Sequence, residues 1–235
     1  MADLRVGTSG FAYPAWRGPF YPAGLAEREM LAYYSREFRT VEINYTYYRM
    51  PSERTLREWA ERVPPGFEFA LKLNQKLTHL QRLRGVEELL ERFLGALSVL
   101  SGRGQLGPIL VQLPPSFRAD LGVLEEFFRL APPVFRFALE VRHRSWQTAE
   151  LHALLRQHRV ALCLAETDDE TPPEMVTGGF AYARLRRAYY TADELATWRG
   201  RFDAWVAQGL DVYAYVKHDE AGQAPAYARA LLGAR

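Results

Sequence analysis

The chain has 235 residues, 48% of them apolar, with a formal charge of +2 and a sequence pI near 8.7. That length suits one α/β barrel in a single domain, residues 1–235, and the apolar fraction is enough for a sizeable core. The single cysteine, Cys163, excludes an intrachain disulfide and any zinc site needing two or more cysteines, and the near-balanced charge does not by itself point to nucleic acid.

Residues Met1-Ala2-Asp3-Leu4-Arg5 lack the charged and apolar regions of a signal peptide. No window approaches the ~20 apolar residues of a membrane span, so a cytoplasmic protein with no membrane partner is expected. The first β-rich segment is 4–9. A helix follows over 26–38, where Leu31, Tyr34 and Phe38 share a face. The second strand is 40–44. Pro51 and Ser52 then start a helix over 52–62, and the third strand is 67–72. An amphipathic helix over 86–100 carries Leu89, Leu90, Phe93, Leu94, Leu97 and Leu100 on one side. Strand 108–112, helix 121–130, strand 135–140, helix 148–158 and strand 160–164 continue the alternation. Residues 166–179 contain Pro172-Pro173 and Gly178-Gly179 and read as loop, not helix. Strand 180–185, helix 192–208, strand 211–216 and helix 224–232 complete the chain.

Eight strands alternating with helices predict an α/β fold: an eight-stranded parallel β/α barrel of the triose-phosphate-isomerase type, with an irregular loop in place of the sixth helix. An open doubly wound sheet is the alternative. Strand alternation then assigns the interior. In Val41-Glu42-Ile43-Asn44 the apolar pair faces the helices, which turns Glu42 and Asn44 inward. The same logic turns Glu68, Ala70 and Lys72 inward, then Gln112, then Glu140 and Arg142, then Arg184 and Arg186, and finally Lys217. Polar side chains thus gather at the last inward positions, the end of a barrel where active sites lie. Unpaired buried ions cost several kcal/mol, so such groups pair or act. Glu42 with Lys72 on the neighbouring strand, and Glu140 with Arg142 or Arg184, are the expected ion pairs. Counted together the mouth is net positive, which favours a small anionic ligand.

Two further features bear on the mouth. Of 30 cations only Lys72, Lys76 and Lys217 are lysine, and each lies at or just past a strand end. A site that needs an ammonium resists replacement by arginine, which differs in hydration and pKa range. Aromatics also crowd this end: Phe11, Tyr13, Trp16, Phe20 and Tyr21 after the first strand, Tyr45, Tyr47 and Tyr48 after the second, Trp146 after the fifth. They suit a hydrophobic plug or a stacking platform equally. His79, His143 and His218 follow strands, while His152 and His158 are placed on a solvent-facing helix. A metal site from Glu42, Glu140, His79 and His143 is opposed by the neighbouring arginines and has no His-x-x-x-His spacing, so none is assigned; no cofactor is identified. Gly-x-Gly-x-x-Gly, Walker and Gly-x-Ser-x-Gly motifs are absent, and Gly7-Thr8-Ser9-Gly10 is too short for a nucleophile elbow.

Seven blocks resemble the YecE-like family, also called domain of unknown function 72. They are Val6-Gly7-Thr8-Ser9-Gly10-Phe11-Ala12-Tyr13 with Trp16, Gly18 and Phe20-Tyr21-Pro22; Val41-Glu42-Ile43-Asn44; Tyr47-Tyr48-Arg49-Met50-Pro51; Phe69-Ala70-Leu71-Lys72; Leu77-Thr78-His79; Leu110-Val111-Gln112-Leu113-Pro114-Pro115-Ser116-Phe117; and Glu140-Val141-Arg142-His143-Arg144-Ser145-Trp146. The resemblance implies the same barrel and no settled activity. Phe11 stands where that family usually has tryptophan, Val216-Lys217-His218 where Phe-Asn-Asn is frequent, and Arg186-Arg187 where His-Gly is common; the last two add positive charge at the mouth.

Three functions remain open on sequence. An enzyme acting on a small anionic or phosphorylated substrate would use Glu42 or Glu140 as acid or base, with Lys72 stabilising charge. Arg142, Arg184 and His143 would clamp the anion, and Ser9, Tyr13, Trp16, Asn44, Tyr48, His79, Gln112, Trp146 and Lys217 would line the pocket. A nucleic-acid-binding or phosphodiester-processing protein would stack bases on the aromatics. A non-catalytic small-ligand-binding protein would use the same residues. Oligomeric state is not legible.

Overall fold

The computed structural model describes residues 2–219 and 221–233. Its strands are β1 (Leu4–Thr8), β2 (Thr40–Ile43), β3 (Glu68–Lys72), β4 (Leu106–Gln112), β5 (Phe137–Glu140), β6 (Ala161–Glu166), β7 (Phe180–Leu185) and β8 (Asp211–Val216). All ladders are parallel, and the order β1-β8-β7-β6-β5-β4-β3-β2 brings the two ends of the sheet together. The helices are α1 (Met30–Glu37), α2 (Tyr45–Tyr48), α3 (Glu53–Ala60), α4 (Glu87–Ala96), α5 (Ser98–Ser101), α6 (Leu121–Leu130), α7 (Ala149–Gln157), α8 (Ala192–Ala207) and α9 (Ala224–Leu232). The chain forms a β/α barrel rather than an open sheet.

Boundaries follow local chemistry. Ser52, Asp120, Thr148 and Thr191 each accept a backbone N–H of the first turn of α3, α6, α7 and α8, and Thr191 with Glu194 completes a capping box. Two expected helices are shorter. Residues 26–38 yield α1 only from Met30, because Ala26 is extended and Glu27–Glu29 form a 3₁₀ turn. Residues 86–100 divide at Leu97, whose N–H bonds the carbonyl of Leu94, one residue short of α geometry. Residues 167–179 carry no helix.

Closure is made by side chains as much as by ladder bonds. Between β1 and β2 the strand pairing is a single bridge, Ser9 with Glu42, and Gly10 N–H donates to the Glu42 carbonyl at 2.8 Å. Below it the buried Tyr34 hydroxyl accepts from Thr8 N–H (2.8 Å) and donates to the Thr40 carbonyl (3.1 Å), bridging the two strands. The strands approach so closely there that a Cβ on Gly7 would lie 2.2 Å from the Thr40 oxygen, which only glycine avoids. A second seam is looser: β5 and β6 pair only through Ala138–Ala161 and Leu139–Leu162. Above that point β6 pairs with β7 alone.

Two apolar clusters result. The large one lies between the strands and the helices. The small one fills the barrel with Ala70, Leu110, Ala138, Ala161, Cys163, Phe180, Tyr182, Tyr213 and Tyr215. Cys163 is a buried interior thiol, and burial pushes its pKa well up. No helix among the described residues is long and apolar enough to cross a membrane.

Candidate functional site

Above the aromatic layer the barrel is polar. Glu42, from the single-bridge seam at β2, accepts from Ser9 Oγ (2.8 Å) and Arg184 Nη2 (2.8 Å) on one oxygen and from Tyr182 OH (2.7 Å) on the other. Glu140, closing β5, accepts from Gln112 Nε2 (2.7 Å) and Arg142 Nε (2.9 Å) on one oxygen and from Arg184 Nη1 (2.5 Å) on the other. Arg184, 2% exposed, therefore spans the barrel between two carboxylates, while its Nε is buried without a partner among the described residues. Fork geometry is what arginine supplies here and lysine could not.

The expected Glu42–Lys72 pair does not form. Glu42 is in register with Ala70, so Lys72 sits one pleat higher, and Glu42 is already held by Arg184. Lys72 instead places Nζ 3.9 Å from the ring centroid of Tyr47, with no carboxylate within ion-pair distance among the described residues. Its backbone is pinned from above: Thr46 Oγ1 donates to the Lys72 carbonyl at 2.7 Å. His79 lies on a π-helical turn, Lys76–Leu80, with its ring 5.1 Å from that of Tyr47.

Other predicted residues spread over different roles. Tyr13 stacks on His218 at 4.5 Å and donates to the Ser9 carbonyl, and burial, with Glu42 nearby, pushes its hydroxyl up to about 12. Tyr48 is exposed on the rim. Trp16 is fully buried, with Nε1 donating to the Asp219 carbonyl, and packs with Phe20 and Tyr21. Trp146 is also buried, bonding the Phe117 carbonyl. The plug reading thus describes most of these rings. Asn44 lies past the end of β2 in helical backbone geometry, so strand alternation no longer governs it. Lys217 is exposed just past β8, and His143 uses Nδ1 to hold Ser145.

The loose seam opens into a cavity of about 690 Å³. Its floor is Glu140, Arg142, Cys163 and Ala165, its outer wall Leu151 and His152 of α7 with Leu162. Thr167, Glu170, Thr171, Pro172 and Pro173, from the stretch that replaces the sixth helix, line it too, as does Arg186 just past β7. His152 is thus half-buried against this cavity and His158 is half-buried elsewhere; neither is the solvent-facing residue expected. Sequence reasoning also missed Tyr182, although it lies two residues before Arg184 and shares its inward face. The cavity had one sequence signal, the missing helix.

The family model described as "Protein of unknown function DUF72" matches residues 5–234. The chain belongs to the DUF72 family. Among curated relatives, UPF0759 protein YecE of Escherichia coli strain K12 is 30% identical over 141 residues. That match covers 60% of this chain and 48% of YecE, so the chain matches about half the length of its curated relative. A crystal structure of a DUF72 family protein from Thermotoga maritima is similar along nearly the whole length, with TM-score 0.84, 27% identity and 96% of each chain covered. Beyond the family, AP endonuclease, family 2, from Brucella melitensis has TM-score 0.52 at 12% identity over 97% of this chain and 98% of its own, a likeness of fold alone.

The electrostatics of this DUF72 mouth are uneven. Burial opposes ionisation of Glu140, but Arg184, Arg142, Gln112 and Arg186 hold its carboxyl down to about 2. Burial and the like charge of Arg184 and Arg142 push Lys72 down to about 8, with Glu42 and Glu140 pulling only partly back. Burial, Lys72 and Arg142 lower His79 too. Burial and Arg184 lower Arg186. Among the described residues no group of three or more His, Cys, Asp or Glu is placed to hold a metal ion.

Proposed function

We propose that this chain is an enzyme acting on a small anionic substrate, a phosphate ester or carboxylate, at the carboxyl-terminal mouth of the barrel. One observation carries the reading. Four cations, Lys72, Arg142, Arg184 and Arg186, converge on two carboxylates, and those carboxylates pair with Arg184 and Arg142, which leaves Lys72 and Arg186 without an ion-pair partner among the described residues. The uncompensated positive charge, partly removed from water, is offset by binding an anion. The adjacent cavity of about 690 Å³ is of the size that encloses a metabolite. Arg142 and Arg186 both line it and meet the anion.

Roles follow from the surroundings. Glu140, ionised down to about pH 2, is a weak base and serves to orient Arg184 and Arg142. Glu42, with both oxygens engaged, anchors the other side of Arg184. Lys72 is the group whose protonation changes near neutral pH, and His79, held below its ordinary value beside it, is neutral there and can accept a proton. The nucleic-acid reading has less support, because Trp16, Phe20, Tyr21 and Trp146 are committed to packing and Arg184 is sealed inside.

Titration calorimetry with inorganic phosphate and phenyl phosphate tests this. Arg142→Ala and Arg186→Ala should each weaken binding by about tenfold. Absence of phosphate binding by the unmutated chain sinks the proposal. Tight binding of an oligonucleotide that collapses steeply with salt would favour the nucleic-acid reading instead.

A further inference from the structure

Lysine occurs at only three positions, and only Lys72 is buried; Lys76 and Lys217 are exposed. Lys72 ends β3 at the mouth, where its backbone is held by Thr46 and its Nζ rests against the face of Tyr47. The nearest carboxylates cannot neutralise it. Glu42 is bonded to Ser9, Tyr182 and Arg184, and Glu140 to Gln112, Arg142 and Arg184. Arginines cannot give up their protons, so in this crowd of like charge Lys72 is the cation that can. Its pKa near 8 agrees with that placement. Crowding by a second cation and desolvation are how an amine becomes a nucleophile near neutral pH.

We propose that Lys72 is an imine-forming amine and that the substrate is an aldehyde or ketone bearing an anionic group. The proposal rests on the anion reading above, with Arg142 and Arg186 holding the anionic end. The free amine of Lys72 attacks the carbonyl carbon, and the carbonyl π electrons move to oxygen. The nitrogen loses a proton and the oxygen gains one, giving a carbinolamine. That hydroxyl leaves as water after taking a second proton, and the nitrogen lone pair forms the C=N bond. One water is released and no oxidant or reductant is needed. His79, whose ring packs on Tyr47 as the Lys72 Nζ does and whose pKa burial and Lys72 lower, takes the proton from nitrogen in this scheme. The iminium then draws electrons from the neighbouring carbon, the activation required for breaking a C–H or C–C bond there.

The test uses the full unmutated chain, glyceraldehyde 3-phosphate as the probe, and sodium borohydride to reduce any imine to a stable secondary amine. Peptide mapping then compares the three lysines. The expected result is an adduct on Lys72 at least ten times more abundant than on Lys76 or Lys217, rising with pH to a midpoint near 8. Unphosphorylated glyceraldehyde should label Lys72 at least tenfold less, and inorganic phosphate should protect it. Lys72→Arg should remove that adduct, with Lys76→Arg as the control that keeps it. Equal labelling of the three lysines, or none on Lys72, overturns the imine proposal. If phosphate still binds in that case, the anion reading survives. If glyceraldehyde labels Lys72 as fast as its phosphate does, and phosphate gives no protection, the anion reading fails and the amine chemistry stands.

Discussion

The two ends of this barrel both contain buried ions, and they differ in balance. At the amino-terminal end Arg5, Arg39 and Arg136 meet Asp3, Glu68 and Asp211. The contacts are Arg5–Glu68 at 3.0 Å, Arg39–Asp3 at 2.8 Å, Arg136–Asp211 at 3.0 Å and Arg136–Glu68 at 3.4 Å. Tyr213 OH adds a hydrogen bond to Glu68 at 2.7 Å. Three arginines face three carboxylates, which is what a structural network needs. Inside the carboxyl-terminal mouth Lys72, Arg142, Arg184 and Arg186 face two carboxylates, Glu42 and Glu140, and of the unpaired cations Arg186 lines a cavity. Buried charge alone therefore says little; charge left over after pairing is what distinguishes a place to bind from a place to hold the fold.

Substitutions at the two ends should break that contrast in different ways. The largest effect is expected for Arg184→Met, which leaves Glu42 buried with no cation and Glu140 with Arg142 alone. Stability should fall by about 3–5 kcal/mol in urea unfolding, and a loss under 1 kcal/mol would show that water reaches those carboxylates. At the opposite end, Glu68→Gln should cost about 2 kcal/mol, because Arg5 and Arg136 lose a partner near solvent. Phosphate binding should be unchanged in that variant; weakened binding would mean that the two networks are coupled through the aromatic layer between them.

The smallest and most discriminating effect is expected for Lys72→Met. Removing a surplus cation should raise stability at pH 7 by about 1–2 kcal/mol, where removing a paired one lowers it. The sign with pH is defined. The Lys72 pKa is near 8 folded and 10.5 unfolded, so between those values the unfolded chain binds more protons and the wild type gains stability as pH rises. The advantage of Lys72→Met should therefore shrink from pH 8 toward 10.5. Parallel unfolding curves for the two proteins across that window would show that Lys72 stays charged when folded.

How far the site was readable from sequence depends on the range of the interactions. Inward Glu42, Lys72, Gln112, Glu140 and Arg184 follow from alternation within strands of four to seven residues, a local property. The partner of each does not. Glu42 and Arg184 are 142 positions apart and meet only because the barrel closes and Arg184 is long enough to cross it. The neighbouring-strand pair Glu42–Lys72 looked natural from order alone, but register set Lys72 one pleat above Glu42. The aromatic segments were ambiguous for the same reason: nothing in Trp16 or Trp146 itself says whether its indole N–H will reach Asp219 or Phe117.

By itself, then, the sequence determined the strand–helix alternation, the barrel it requires, the polar character of the mouth and the scarcity of lysine. Each is a matter of composition and short-range period. The tertiary structure decided which carboxylates were already spoken for and which cations, Lys72 and Arg186, were left without one among the described residues. It also decided that the missing sixth helix and the short β5–β6 ladder leave a cavity lined by Arg142 and Arg186. These depend on distances across the barrel, which no local pattern encodes.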